Sequence, residues 1–219
     1  MRVALSRMHY PVTALGPGQR AGIWLQGCAI GCAGCLSRDT WDPDSGTPVE
    51  VGQVLDWLAD QARQPGGVQG VTISGGEPTE QAPALHELAA GINEMRRNGT
   101  ISGDLLCYTG LDEPDFYATC PWSLELIDAV ITGPFRITEP TDLLWRGSAN
   151  QRLIALTDLG HHIYDPYLQA RATDPPLQVA VADGQVWMIG IPRRGDLQRL
   201  ESAVRSDGVQ LKDVSWRPQ

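Results

Sequence analysis

The chain has 219 residues, 42% of them hydrophobic and 20% charged, enough for one globular domain with a sizeable core and too apolar for a mainly disordered chain. A formal charge of −9, from 26 acidic and 17 basic side chains, argues against broad nucleic-acid binding, because neutralising phosphates needs a surplus of Lys and Arg. No apolar run approaches a membrane span, and MRVALSRMHYPV at the start lacks the apolar middle of a secretory signal, so a cytoplasmic protein without membrane attachment is expected.

Taken in chain order, Gly16-Pro17-Gly18 with Arg20 reads as a turn carrying an exposed arginine. Residues 21–26, AGIWLQ, form an apolar run suited to a buried strand, and GCAIGCAGC follows directly. Thr47-Pro48-Val49-Glu50 offers an N-cap, a proline at the first helical position and a capping-box carboxylate. Val51, Val54, Leu55, Leu58 and Ala62 then recur at helical spacing. Residues 68–73 predict a second strand that stops at Ser74-Gly75-Gly76-Glu77-Pro78. Leu85, Leu88, Ala89, Ile92 and Met95 predict the next helix, and residues 104–109 a third strand ending at Gly110.

Asp112, Glu113 and Asp115 read as a solvated acidic loop, and residues 128–132 as a fourth strand ending at Gly133-Pro134-Phe135. Arg146-Gly147-Ser148-Ala149-Asn150-Gln151 separates two apolar pairs and must be a loop. Alternating strands and helices predict right-handed crossovers on a parallel α/β sheet, whose loops after the strands gather at one rim. The cysteines, SGGEP, Tyr108-Thr109-Gly110 and Gly133-Pro134-Phe135 are expected to share that mouth. Beyond residue 156 the pattern changes: 169–176 is a polar connector, Asp183-Gly184 signals a hairpin between two apolar strands, and Leu197, Leu200 and Val204 mark a short closing helix. The expected division is a core over 1–159 and an appendage over 160–219.

The sequence holds five cysteines, and Cys28, Cys32 and Cys35 are spaced C-x3-C-x2-C. A tetrahedral zinc site takes four ligands, whereas a 4Fe-4S cluster held by three thiolates keeps one iron open to an outside ligand. Gly27, Gly31 and Gly34 let the backbone wrap closely around a bulky centre. The alternatives are a zinc site completed by Cys107 or Cys120, or unligated buried thiols. The reading of Cys107 and Cys120 on their own is as ordinary buried thiols, and of His161 and His162 as surface or capping residues.

C-x3-C-x2-C followed by GGEP resembles the radical S-adenosylmethionine (SAM) superfamily. Further matching segments are GPGQR at 16–20, Thr40-Trp41, Tyr108-Thr109-Gly110 and LWRGSANQ at 144–151. With these the chain resembles, within that superfamily, the glycyl-radical-enzyme activases of the anaerobic ribonucleoside-triphosphate reductase branch. The resemblance implies a partial (β/α) barrel of parallel strands with a C-terminal hairpin and helix appended. It implies a 4Fe-4S cluster on Cys28, Cys32 and Cys35, and SAM held near Gly34, Leu36, Gly75, Gly76, Glu77, Pro78, Tyr108, Thr109, Ser148 and Asn150. It also places the Gly16–Arg20 segment near the cluster.

The implied reaction is reductive cleavage of SAM to a 5′-deoxyadenosyl radical that abstracts a hydrogen atom. In the activases that atom comes from a glycine of a large glycyl-radical enzyme, and a flavodoxin or ferredoxin supplies the electron. Leu36 stands where the family commonly has an aromatic, Ser37-Arg38-Asp39 replaces an asparagine-containing step, and the last 60 residues have no counterpart in the compact activases. Modification of a peptide or small molecule is therefore a second reading, and a non-catalytic iron–sulfur or zinc redox-sensing module a third.

Overall fold

The computed structural model describes residues 1–174, 176–182, 185–193, 195–211 and 214. Its centre is one sheet built from β1 (Arg2–Val12), β2 (Arg20–Leu25), β3 (Thr47–Glu50), β4 (Gly70–Gly75), β5 (Asp104–Tyr108), β6 (Ala129–Thr132) and β7 (Arg152–Ala155). The strand order is β3-β1-β2-β4-β5-β6-β7. The four middle strands β2, β4, β5 and β6 run parallel, while β1, β3 and β7 are antiparallel to their neighbours. The crossovers are α1 (Val51–Ala62), α2 (Ala82–Arg97), and α3 (Glu113–Thr119) followed by the short α4 (Ser123–Leu126). The predicted parallel α/β core is present, but no barrel closes: β3 and β7 end an open sheet.

Strand alternation sends one set of side chains toward the helices and the other to the opposite face. Ile23, Leu25, Val71, Ile73, Leu105, Cys107 and Val130 pack with Val54, Leu58, Leu85, Leu88 and Ile92 of α1 and α2 in the main core. On the other face Leu106, Ala129, Ile131 and Leu153 pack under Trp145 and Tyr164. All five apolar residues that predicted α2 are buried.

Three local expectations are corrected. Thr47 caps no helix: Thr47–Glu50 pairs with β1, Glu50 is the N-cap of α1, and the Glu50 N–H donates to Gln53 Oε1 at 3.0 Å. The proline signal is equally at home on this edge strand, where β-pairing wins. Asp112 is the N-cap of α3, with Glu113 and Asp115 in its first turn, where carboxylates meet the helix dipole; the expected acidic loop is thus a helix start. Arg20 is not exposed but fully buried.

Arg20 staples the strand ends farthest from the cysteines. Its guanidinium donates to both carboxylate oxygens of Asp104 at 2.8 Å, to Val71 O at 2.8 Å and, through Nε, to Thr72 Oγ1 at 2.6 Å. The Tyr164 hydroxyl donates to the same carboxylate. One cation thereby ties the starts of β2, β4 and β5, a bidentate geometry that only arginine provides.

Tyr164 belongs to α5 (Asp158–Tyr164), after which β8 (Leu177–Ala182) and β9 (Gln185–Gly190) pair antiparallel, and α6 (Asp196–Ser206) closes the described chain. The predicted hairpin strands and closing helix are present; Asp183 and Gly184, which signalled the turn, lie outside the described residues. No helix among the described residues is long and apolar enough to cross a membrane.

Candidate active site

The loops after β2, β4, β5 and β6 converge at one rim. Gly27, Gly31 and Gly34 of the cysteine loop all have positive φ, 100°, 62° and 80°. The loop is anchored at its entrance, where the Gly27 N–H donates to Thr40 O at 2.8 Å and the Cys28 N–H to Trp41 O at 3.0 Å. Ala29 N–H donates to Glu80 Oε1 at 2.6 Å. Cys28, Cys32 and Cys35 are half-exposed free thiols, while Cys107 and Cys120 are buried in the main core. The latter pair face a different environment and do not complete a four-thiol set.

Glu77 is the hub that joins three of these loops. It is 2% exposed. Its Oε1 accepts from Thr79 N at 3.0 Å, Thr79 Oγ1 at 2.7 Å and Thr109 Oγ1 at 2.8 Å, and its Oε2 from Gly110 N at 2.6 Å. The Glu77 N–H donates to Gly27 O at 2.7 Å, tying the hub to the cysteine loop. Pro78 follows as the first residue of a single 3-10 turn that Glu77 caps. The preceding glycines are required by contact: a Cβ on Gly75 would lie 2.2 Å from Leu25 O, and one on Gly76 2.0 Å from Gly27 O. Only bare backbone fits between the ends of β2 and β4.

Partial burial pushes the Cys28 and Cys32 thiols above their ordinary range; nearby Glu77 pushes the same way, while backbone N–H groups, that of Phe135 at Cys32, oppose it. The loop after β6 therefore reaches the cysteines, as expected. Ile137 of that loop also lies over Gly34, whose Cβ would stand 2.5 Å from Ile137 Cδ1.

Ser148 and Asn150 stand one step behind the rim. Ser148 Oγ accepts from Arg136 N at 3.0 Å, and Asn150 Nδ2 donates to Pro134 O at 2.8 Å. Both brace the segment that touches Cys32. Tyr108 donates from its hydroxyl to Trp145 O at 3.1 Å, and Arg146 binds the carbonyls of Leu144, Tyr167 and Leu168. Leu36 is half-buried just past Cys35. The Gly16–Arg20 segment lies at the opposite end of β2 from the cysteines and so is not part of this cluster of loops.

Sequence reading missed Thr79 and Glu80, whereas Phe135 stands at the mouth where it was expected. An acidic residue before proline is an N-cap signal that would have found the Glu77–Thr79 turn. The bond from Ala29 to Glu80 crosses two loops and has no local signal.

Two observations test whether these residues fit a cluster and SAM. The donor set is three free thiols carried by one loop, Cys28, Cys32 and Cys35, and soft thiolates are the ligands that iron–sulfur clusters take. Asn150 Oδ1 is buried without a hydrogen-bond partner, a state that costs about 1–3 kcal/mol unless a donor fills it. Both features fit the pair of groups.

A family model described as a 4Fe-4S single cluster domain matches residues 14–154. The anaerobic ribonucleoside-triphosphate reductase-activating protein of Enterobacteria phage T4 is 30% identical over 143 residues, covering 65% of this chain and 88% of the phage protein. That of Escherichia coli K12 is 30% identical over 151 residues, covering 65% of this chain and 93% of its own. The pyruvate formate-lyase-activating enzyme of Listeria monocytogenes is 30% identical over 176 residues, covering 75% of this chain and 66% of its own.

Proposed function

This chain belongs to the 4Fe-4S single cluster domain family, as an enzyme of the radical SAM activase type, and from that premise we propose that it generates a glycyl radical on a large partner such as anaerobic ribonucleotide reductase. The observation that carries this reading is the Glu77 hub, which locks the loops of β4 and β5 against a three-thiol loop.

A cluster and SAM bound there would supply one-electron reductive cleavage and, from it, abstraction of a hydrogen atom. The chain's own residues do the rest. Cys28, Cys32 and Cys35 would hold the cluster, three thiolates for four irons. Gly75 and Gly76 bring main chain close without side-chain bulk. Glu77 already accepts four hydrogen bonds, so it acts chiefly by holding Thr109 and Gly110 in place and presents little carboxylate to an ammonium. Asn150 Oδ1, buried without a partner, would accept a hydrogen bond from SAM, and Gly34, Leu36, Pro78, Tyr108 and Ser148 would shape the walls around it. Ile137, 60% exposed beside Gly34, gives the rim an apolar lip that excludes water and meets the partner. A one-electron donor such as a flavodoxin or ferredoxin supplies the electron.

The test is an anaerobic assay of the reconstituted protein with dithionite and SAM, then with a glycyl-radical partner. 5′-Deoxyadenosine should form, and the partner should gain a glycyl radical seen by electron paramagnetic resonance. Cleavage of SAM with no radical on any glycyl-radical partner would favour the peptide or small-molecule reading.

A further inference from the structure

The hairpin of β8 and β9 lies past the end of the family match at residue 154, and it packs beside Trp24 of β2 and Tyr108 of β5. Its inward side is set by register: Gln178 pairs with Ile189 and Ala180 with Trp187. Gln178 fastens the hairpin to the end of β1, accepting from Thr13 N at 3.0 Å and donating to Pro11 O at 2.7 Å. Ile189 is buried with Val12, Ala14 and Leu15, against Trp24 and Tyr108.

What this places beside the mouth is specific. Arg7, Trp24, Ser37, Trp187, Met188 and Ile189 surround one small cavity. Ser37 is two residues past Cys35, and Arg7 is ion-paired to Asp39 of the same segment. Trp187 also meets His9 of β1 edge-on, ring centroids 5.9 Å apart. The bulkiest side chain on the hairpin's inward side thus stands where the hairpin meets the outgoing limb of the cysteine loop.

We propose that Trp187 is a specificity-determining residue: the hairpin walls the β1–β2 side of the mouth, and the indole limits what reaches Cys35 to a small molecule or a thin extended peptide segment. This rests on the cysteine rim being the reaction site, but the wall can be tested without turnover. In the apoprotein, Cys35 is labelled in parallel with N-ethylmaleimide and with a bulky polyethylene glycol maleimide, and the labelled peptide is quantified by mass spectrometry. The ratio of the two rates cancels any change in thiol reactivity.

The wild-type protein should discriminate against the bulky reagent. Trp187→Ala should relax that discrimination by about tenfold, the scale at which a pocket wall selects by size, and Trp187→Phe should keep most of it. Buried Cys107 and Cys120 report global unfolding; if Trp187→Ala labels them, Trp187→Leu, which keeps apolar packing but removes the indole, is read instead. Unchanged discrimination in the folded variant, or equal loss in Trp187→Phe, overturns the proposal. In the holoenzyme, Trp187→Ala should make more 5′-deoxyadenosine per substrate radical than wild type. Wild type that discriminates by size yet never cleaves SAM would sink the proposed function and leave the wall standing.

Discussion

At the scale of single residues, Glu77 does its work through neighbours rather than alone. Truncating it strands the Thr109 hydroxyl and the Gly110 and Thr79 N–H groups, and bonds to a charged acceptor are worth about 1.5–3 kcal/mol each. Glu77→Ala should therefore lower the melting temperature of the apoprotein and weaken SAM binding, measured by equilibrium dialysis, while leaving most of the iron. Cys32→Ala should lose the cluster, and Cys107→Ala, in the core, should keep its iron by chemical assay; iron loss in the second and not the first would reverse the ligand assignment. The motif residues themselves were legible, because thiol spacing and a Gly-Gly-Glu-Pro turn are local. The bond from Thr109 to Glu77 was not, since the two are brought together only by the parallel pairing of β4 and β5. Arg20 was misread for the same reason: nothing adjacent in sequence announces Asp104 or Tyr164.

Among elements, the parallel strands and the helices between them follow from apolar runs and helical periodicity, and each appears close to its expected bounds. What periodicity did not reveal was the antiparallel rim. β1 carries alternating burial over only its first residues, with half-buried positions after them, and β3 is mostly exposed, so neither shows the apolar signature of a buried strand. The strand starts opposite the mouth are held by the Arg20–Asp104 pair, 0% and 1% exposed. Asp104→Ala leaves a buried guanidinium without its counter-charge, and such a loss costs about 3–5 kcal/mol. Urea unfolding of the apoprotein should show that loss, whereas Arg2→Ala, whose partner Glu50 is half-exposed, should change little.

For the whole molecule, the buried thiols and phenols hold their protons. Burial raises the thiols of Cys107 and Cys120, the latter to about 11, and the phenols of Tyr108 and Tyr164. A group whose folded value lies above its unfolded one stabilises fully below the unfolded value and loses that contribution as pH rises toward the folded one. The apoprotein's melting temperature should accordingly fall above about pH 9, the unfolded cysteine range, and hold level from pH 7 to 8.5. The assembled picture is a sheet stapled at one end by Arg20 and open for chemistry at the other, where three thiols share a rim with the Glu77 hub. Its central claim is that the cluster on those thiols keeps an iron free for SAM. Reduced, reconstituted protein with about four irons per chain should show an electron paramagnetic resonance spectrum that changes when SAM is added; a full cluster whose spectrum is indifferent to SAM would contradict the account.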